Sequence, residues 1–116
     1  MERLGACPTV GEHPHPRFTG LPEREILWVR VPVATTRRSR LLGLALLDRH
    51  EVGKGLLIPD CRSVHTFGMR FELDLFFLDE LGKVVELRRG VRPGRVARCP
   101  DADAVLELPS SGVLAG

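Results

Sequence analysis

The sequence predicts a mainly β domain, α+β by content: a compact, mostly antiparallel β sandwich or partly open barrel with one short helix near residues 35–47. Three features support this fold class. Short runs of β-branched and aromatic residues are separated by glycine and proline turns, the segment from Phe67 onward alternates apolar with polar residues, and one segment shows apolar residues at helical spacing. Short strands joined by hairpin turns are typical of antiparallel folds.

Proline spacing divides the chain into an arm and a domain. Residues 1–22 are predicted to be a flexible arm, because their prolines remove backbone donors and restrict the preceding residues. Residues 23–116 are predicted to form a single β-rich domain. This domain begins with a strand at Glu25–Val31, where Ile26 and Trp28 have high strand propensity and Pro32 ends the run.

The predicted helix follows this strand. Thr35 or Thr36 can cap its first turn, and Leu41 and Leu44 recur near helical spacing. A glycine at position 43 weakens such a helix by roughly 1 kcal/mol relative to alanine. We therefore expect Gly43 to be present because a backbone packs closely against it.

The strongest pattern lies in the middle of the chain. A short buried strand at Leu56–Ile58 is closed by Pro59, and from Phe67 to Phe77 the odd positions are apolar while most even positions are polar. Alternation with a period of two is the signature of a strand. Because the stretch exceeds a common strand length, we expect a bend or bulge near Gly68–Glu72.

The remaining strands are predicted around a hairpin. Asp79–Gly82 forms the turn, with glycine supplying the positive φ, and Lys83–Leu87 is the returning strand. A loop rich in arginine, proline and glycine spans Arg88–Asp103 and leads to the last strand at Ala104–Leu108. Asp74 is flanked by leucines, so its carboxylate is predicted to accept backbone N–H groups at a bend.

Composition excludes several classes of protein. The chain has 116 residues with a net charge of +2. No apolar run approaches the roughly 20 residues of a membrane-spanning helix. Residues 1–20 lack the apolar segment that a secretory signal needs, and three cysteines are an odd number without disulfide spacing. We therefore expect a soluble, cytoplasmic protein with no membrane partner.

The arginines between Arg88 and Arg98 do not predict a nucleic-acid partner. Platforms for nucleic acids usually add stacking aromatic side chains, and this loop contains none. With so small a net charge, a solvated basic loop is the better interpretation. The sequence also contains no specific motif for a cofactor, so we expect none, and it leaves the oligomeric state open.

Several segments resemble one known family. Gly55–Ile58, Cys61–Asp74, Leu75–Val85 and Val105–Pro109 are similar in order and spacing to domain-of-unknown-function family 192, over about residues 31–109. The resemblance implies a small single-domain, mainly β fold and no activity. Many relatives carry Phe-Trp-Met-Lys-Asn-Thr where this chain has Val64–Met69, so it resembles a histidine-bearing branch. Relatives usually continue into a further strand, so either a sheet edge is exposed here or the N-terminal arm replaces that strand.

The best candidate site is the polar side of the alternating segment. A cleft for a small polar or anionic ligand, or for a peptide end, is predicted to be lined by His65, Thr66, Gly68 and Arg70. Arginine offers a planar fork to carboxylate or phosphate, histidine titrates near neutral pH, and glycine permits close approach. Trp28 or Phe67 would form an apolar wall of this cleft.

Two other functions stay open, and with them the question of whether the chain is an enzyme. Cys61 and His65 could serve thiol-dependent or metal-assisted hydrolysis with Asp74 as an orienting carboxylate, and the thiol would then need a lowered pKa. On an extended strand Cys61 and His65 would lie roughly 13 Å apart, too far to share a zinc ion, so no metal site is predicted. Alternatively, the chain is a structural interaction module that uses an exposed sheet edge.

Overall fold

The computed structural model describes residues 15–110. They form, in order, β1 (Glu23–Ile26), β2 (Val29–Pro32), α1 (Arg37–Leu42), β3 (Leu56–Pro59), β4 (Ser63–His65), β5 (Leu73–Leu78), β6 (Val84–Val91), β7 (Val96–Arg98) and β8 (Ala104–Pro109). Single 3₁₀ turns lie at Pro16–Phe18 and Arg49–Glu51. No helix in this part of the chain is both long and apolar enough to cross a lipid bilayer.

A four-stranded antiparallel sheet is the centre of the fold. Its strand order is β3-β8-β5-β6, and two-stranded antiparallel sheets are formed by β1-β2 and β4-β7. Within residues 15–110 the central sheet keeps two edges and does not close into a barrel. The predicted class, mainly β and mostly antiparallel with one short helix, is confirmed.

The core lies on both faces of β5. All residues of Leu73–Leu78 are buried, and strand alternation sends Phe77 to one face and Phe76 to the other. The Phe77 face packs against the turn after α1 and against sheet β4-β7, whereas the Phe76 face is covered by the β1-β2 hairpin. Because both faces are buried, the pattern becomes continuously apolar at Leu75–Leu78.

The alternating segment is not one strand but two, β4 and β5, separated by a turn. Gly68 adopts a φ of 79° and its carbonyl accepts the N–H of Leu46. The Thr66 hydroxyl donates to the carbonyl of Arg92 at 2.7 Å and accepts the N–H of Arg95 at 2.8 Å. These bonds to distant residues replace the pairing of a continuous strand, so the expected bend is a complete break.

Three other elements differ from the prediction. The segment Arg88–Asp103, expected to be a loop, contains the end of β6 and all of β7. The other two differences concern the first predicted strand and the length of α1. The expected strand at Glu25–Val31 instead contains the turn of the β1-β2 hairpin, where Leu27 has a φ of 56°. Helix α1 ends at Leu42, earlier than predicted, because Gly43 adopts a φ of 53° and its N–H donates to the Ser39 carbonyl. In both cases a residue in the positive-φ region reverses the chain inside an apolar run.

Two predicted local features are confirmed. In the β5-β6 turn the Asp79 carboxylate accepts the N–H of Leu81 at 2.8 Å, and Gly82 has a φ of 81°. The Asp74 carboxylate accepts the N–H of Gly90 at 2.8 Å, where the β5-β6 register shifts. Asp74 is therefore a structural residue of a β-bulge.

Part of the predicted arm packs on the domain. Phe18 is buried in the core, and Arg17 donates from Nη1 to the Ala45 carbonyl at 2.7 Å. The Pro22 carbonyl accepts the N–H of Val33 at 2.8 Å. The rest of the arm and the end of the chain, residues 1–14 and 111–116, lie outside the described residues. Both alternatives for the missing strand, an exposed edge or replacement by the arm, stay predictions.

Candidate functional site

A cleft of about 600 Å³ opens between α1 and one end of the central sheet. Its floor is buried and apolar, and its rim is exposed and polar. Leu44, Ile58, Val64 and Met69 form the floor, and Arg37, Arg40, Ser63 and His65 form the rim. The volume falls within the range of about 300–1,000 Å³ that is common for small-molecule pockets.

The capping of α1 positions the arginines of the rim. The Thr36 hydroxyl accepts the N–H of Ser39 at 3.0 Å, and the Ser39 hydroxyl accepts the N–H of Thr36 at 3.1 Å. This reciprocal capping box fixes the start of the helix and confirms Thr36 as one of the two predicted caps. Arg40 then donates from Nη2 to the Asp60 carbonyl at 3.1 Å, which ties the helix to the end of β3.

A buried carboxyl group lies in the lining of the cleft. Glu107 on β8 is 3% exposed, and its Oε1 has no hydrogen-bond partner among the described residues. In the sheet it lies opposite Leu56 on β3 and Leu75 on β5, so apolar residues flank it on both sides. Burial disfavours the charged form and raises the pKa of Glu107 from 4.5 to about 8. At neutral pH this carboxyl group is therefore mostly protonated.

Two glycines create the space around Glu107. A Cβ atom at Gly43 would lie 3.0 Å from Glu107 Oε1, so the absence of a side chain lets the end of α1 approach the carboxyl group. At Gly55, which has a φ of 135°, a Cβ atom would lie 2.2 Å from the Glu107 carbonyl oxygen. The close approach expected at Gly43 is present, although its neighbour is a side chain rather than a backbone.

Cys61 shares the cleft with Glu107 but is not an activated thiol. Its Sγ donates to the Ser63 carbonyl at 3.2 Å. Burial raises the pKa of Cys61, and the charge of Arg40 opposes that rise only in part. Because a nucleophilic cysteine needs a lowered pKa, the arrangement does not favour thiol-dependent hydrolysis.

The ring of His65 has a defined orientation at the rim. Its Nδ1 accepts the N–H of Phe67 at 3.3 Å, and the two rings stack with their centroids 5.3 Å apart. The neutral ring therefore carries its proton on Nε2, which can donate to a ligand. Trp28, the other aromatic residue expected near the site, packs instead against Phe76 on the opposite face of the sheet, with centroids 5.4 Å apart.

Of the four residues predicted to line the site, the structure brings His65 alone into this cleft. Thr66 is buried and bonds to the loop before β7, and Gly68 lies against the turn after α1. Arg70 is exposed and pairs with Asp48, Nη1 to Oδ1 at 3.0 Å. The turn that follows β4 is the reason, because it directs successive residues to different parts of the surface.

Sequence reasoning missed Glu107, Arg37 and Arg40 as site residues. Glu107 had a usable signal, since it is a single charged residue between apolar neighbours in the last strand, the pattern that singled out Asp74. The two arginines had no such signal. Only the contact between α1 and the segment from β3 to β4 places them over the cleft.

The described part of the cleft does not assemble a metal-binding set. Within residues 15–110, no three side chains of histidine, cysteine, aspartate or glutamate lie close enough together to hold one metal ion. Cys61 and His65 do line the same cleft, because β4 is only three residues long and the chain turns on either side of it. Together they supply two zinc-type ligands, fewer than the three of a catalytic zinc site.

A four-stranded antiparallel sheet, one short capped helix and a cleft beside them define a class of small β-domain proteins. The sequence profile of the DUF192 family, described as "Uncharacterized ACR", matches residues 17–115. The chain therefore belongs to this family, and the resemblance seen in the sequence is confirmed.

A solved structure shows a similar fold. It is a protein of unknown function from Novosphingobium aromaticivorans DSM 12444, with a TM-score of 0.61 and 21% identity, over 94% of this chain and 91% of that chain. At this identity the likeness shows the fold alone. No curated protein matches the chain.

Proposed function

We propose that the chain is a binding module for a small anionic ligand with an apolar body, held in the cleft beside α1. The observation that carries the proposal is the composition of the cleft: arginine and histidine side chains surround a buried apolar floor whose one described acidic residue is Glu107. Sites of this kind bury the apolar part of a ligand and orient it through a few polar groups.

The charges of the rim select the class of ligand. Neither arginine forms an ion pair with a carboxylate among the described residues: Arg37 is exposed, and Arg40 donates to the carbonyl groups of Pro59 and Asp60. A guanidinium presents a planar pair of donors that matches a carboxylate or phosphate. The buried Glu107 is mostly protonated at neutral pH, so it does not cancel this preference for anions.

Thermal denaturation with ligands of matched chain length tests the proposal. Octanoate and octyl phosphate should raise the Tm, whereas octanol and octylamine should raise it less because they lack an anionic group. A ligand present at 100 times its Kd stabilises the folded state by about 2.7 kcal/mol. For a domain of this size that corresponds to a Tm increase on the order of 10 °C.

Matched variants locate the binding. Arg37→Ala should reduce the shift with octanoate, and the neighbouring exposed Arg38, which is outside the lining of the cleft, supplies the control variant Arg38→Ala. If Arg70→Ala abolishes the shift and Arg37→Ala does not, the ligand binds at the turn after β4, where the sequence predicted it. Absence of a shift with every anionic ligand would overturn the proposed function.

A second candidate function is interaction through the outer edge of the sheet. β6 is the last strand in the order β3-β8-β5-β6, and its Val84, Val85 and Leu87 are 43–44% exposed. An exposed apolar edge strand is a template for pairing with another chain, here a second copy. Sedimentation should then show a dimer that increases with concentration and is weakened by Leu87→Lys. A monomer at every concentration would contradict this function.

A further inference from the structure

We propose that Glu107 recognises the ligand by donating its carboxyl proton to an oxygen of the anionic group, which makes the cleft selective for carboxylic or phosphoric anions over amines. The inference rests on the proposed function of the cleft. It gives Glu107 a specificity-determining role that the exposed arginines do not have, because their positive charge alone attracts any anion.

The first support is the unpaired state of a buried carboxyl group. The Glu107 side chain lines the cleft at 3% exposure, and Oε1 has no partner among the described residues. Buried polar groups in folded proteins are hydrogen-bonded in the great majority of cases. A carboxyl group without a partner at the floor of a cleft is therefore a group that a ligand can pair with.

The second support is the placement of Arg40 at the same end of the cleft. Arg40, Cys61 and Glu107 all line the cleft, and Arg40 lies in the last turn of α1, three residues before Gly43, where a Cβ atom would lie 3.0 Å from Glu107 Oε1. The end of α1 that carries Arg40 therefore lies beside the Glu107 carboxyl group. A headgroup between them would accept hydrogen bonds from both, and its apolar chain would lie against the floor.

The third support is the set of side chains that line the cleft together with Glu107 or flank it in the sheet. Helix α1 contributes Arg37 from its first turn and Arg40 from its last turn, and the segment through β4 contributes the Cys61 thiol and His65. The flanking strands β3 and β5 contribute leucines at the opposing positions. Two of these side chains are arginines and none is acidic, so an anion is attracted while an ammonium group is repelled.

The protonation of Glu107 determines the pH at which an anion can bind. Burial keeps the proton on the carboxyl group until the pH approaches its pKa of about 8. Above that pH the group becomes a carboxylate, which has no hydrogen to donate and repels the anion. Affinity for an anionic ligand should then fall by about tenfold for each further pH unit, because one proton is linked to binding.

Calorimetric titration with octanoate tests this inference on the wild type, Glu107→Gln and Glu107→Leu. The wild-type affinity should fall above about pH 8. Glutamine keeps an N–H donor that does not titrate, so Glu107→Gln should retain binding and lose the fall at high pH. Leucine removes the donor, so Glu107→Leu should bind at least about tenfold more weakly at neutral pH, where one hydrogen bond to a charged group is lost.

The outcomes separate this inference from the proposed function. Octanoate binding with the same pH profile in the wild type and in Glu107→Gln would overturn the role of Glu107 and leave the binding module in place. Binding of octylamine that tightens as the pH rises would show that Glu107 pairs with cations and would overturn both. Absence of octanoate binding at every pH would also overturn both. If Glu107→Leu does not fold, the comparison with glutamine decides.

Discussion

Replacing Glu107 with glutamine should flatten the dependence of stability on pH. The pKa of this carboxyl group is about 8 in the folded protein and 4.5 as the reference for the unfolded chain. Because the folded pKa is the higher one, the folded state binds more protons between these values. The contribution of Glu107 to the free energy of unfolding is therefore fully present below the unfolded pKa. It is lost progressively as the pH rises from there to the folded pKa of about 8.

The size of this effect follows from the two pKa values. Each pH unit between them corresponds to about 1.4 kcal/mol, so ionising Glu107 in the folded state costs on the order of 5 kcal/mol. This is a large part of the roughly 5–15 kcal/mol by which domains are stable. Glu107→Gln cannot ionise and avoids this loss, although its buried amide lowers stability by an amount that does not depend on pH.

Urea denaturation at several pH values from about 5 to about 9 measures how the free energy of unfolding differs between the wild type and Glu107→Gln. The fluorescence of Trp28, the one tryptophan of the chain, is the signal. Both proteins keep the same histidines and cysteines, so subtracting their curves isolates position 107. The exposed Glu72 provides the control Glu72→Gln, which should follow the wild type. Parallel curves for Glu107→Gln and the wild type would refute the argument from burial.

Three further predictions concern the structure around the cleft. Thr36→Ala should lower the free energy of unfolding by about 1 kcal/mol because it removes the cap of α1. The hydroxyl of Thr35 is outside the capping box, so Thr35→Ala should have no such effect. Equal effects of the two variants in urea denaturation would contradict the capping argument. Gly55→Ala should cost more than Gly20→Ala in the same assay, because both glycines have positive φ but a side chain meets backbone only at Gly55. Near neutral pH, iodoacetamide should modify Cys61 more slowly in the folded protein than in urea, because burial raises the pKa of the thiol. Peptide mass spectrometry measures the rate. A rate that does not rise on unfolding would show that the fold does not reduce the reactivity of this thiol.

Elements with local causes could be predicted from the sequence. The Asp79–Gly82 turn, the cap at Thr36 and the mainly β class each depend on a few neighbouring residues. The same reasoning was incomplete after His65, where an alternating pattern predicted one strand with a bend or bulge instead of two strands separated by a turn. There the bonds that decide the structure join Thr66 to a loop more than twenty residues further along the chain, and no local pattern reports them.

The candidate site could be predicted only in part, because a cleft is made by residues that are distant in sequence. The sequence predicts His65 from its position beside the alternating segment, whereas Glu107 is one residue of a predicted strand with no further sign of a role in the cleft. The sequence by itself determined the class of fold, the hairpin turn and the start of the helix, since these depend on short-range backbone preferences. Only the tertiary structure decided that Glu107 is buried and lacks a partner among the described residues, because the end of α1 at Gly43 and the strands beside β8 remove its carboxyl group from water. That loss of water raises its pKa and changes a solvated carboxylate into a protonated group that can donate to a ligand.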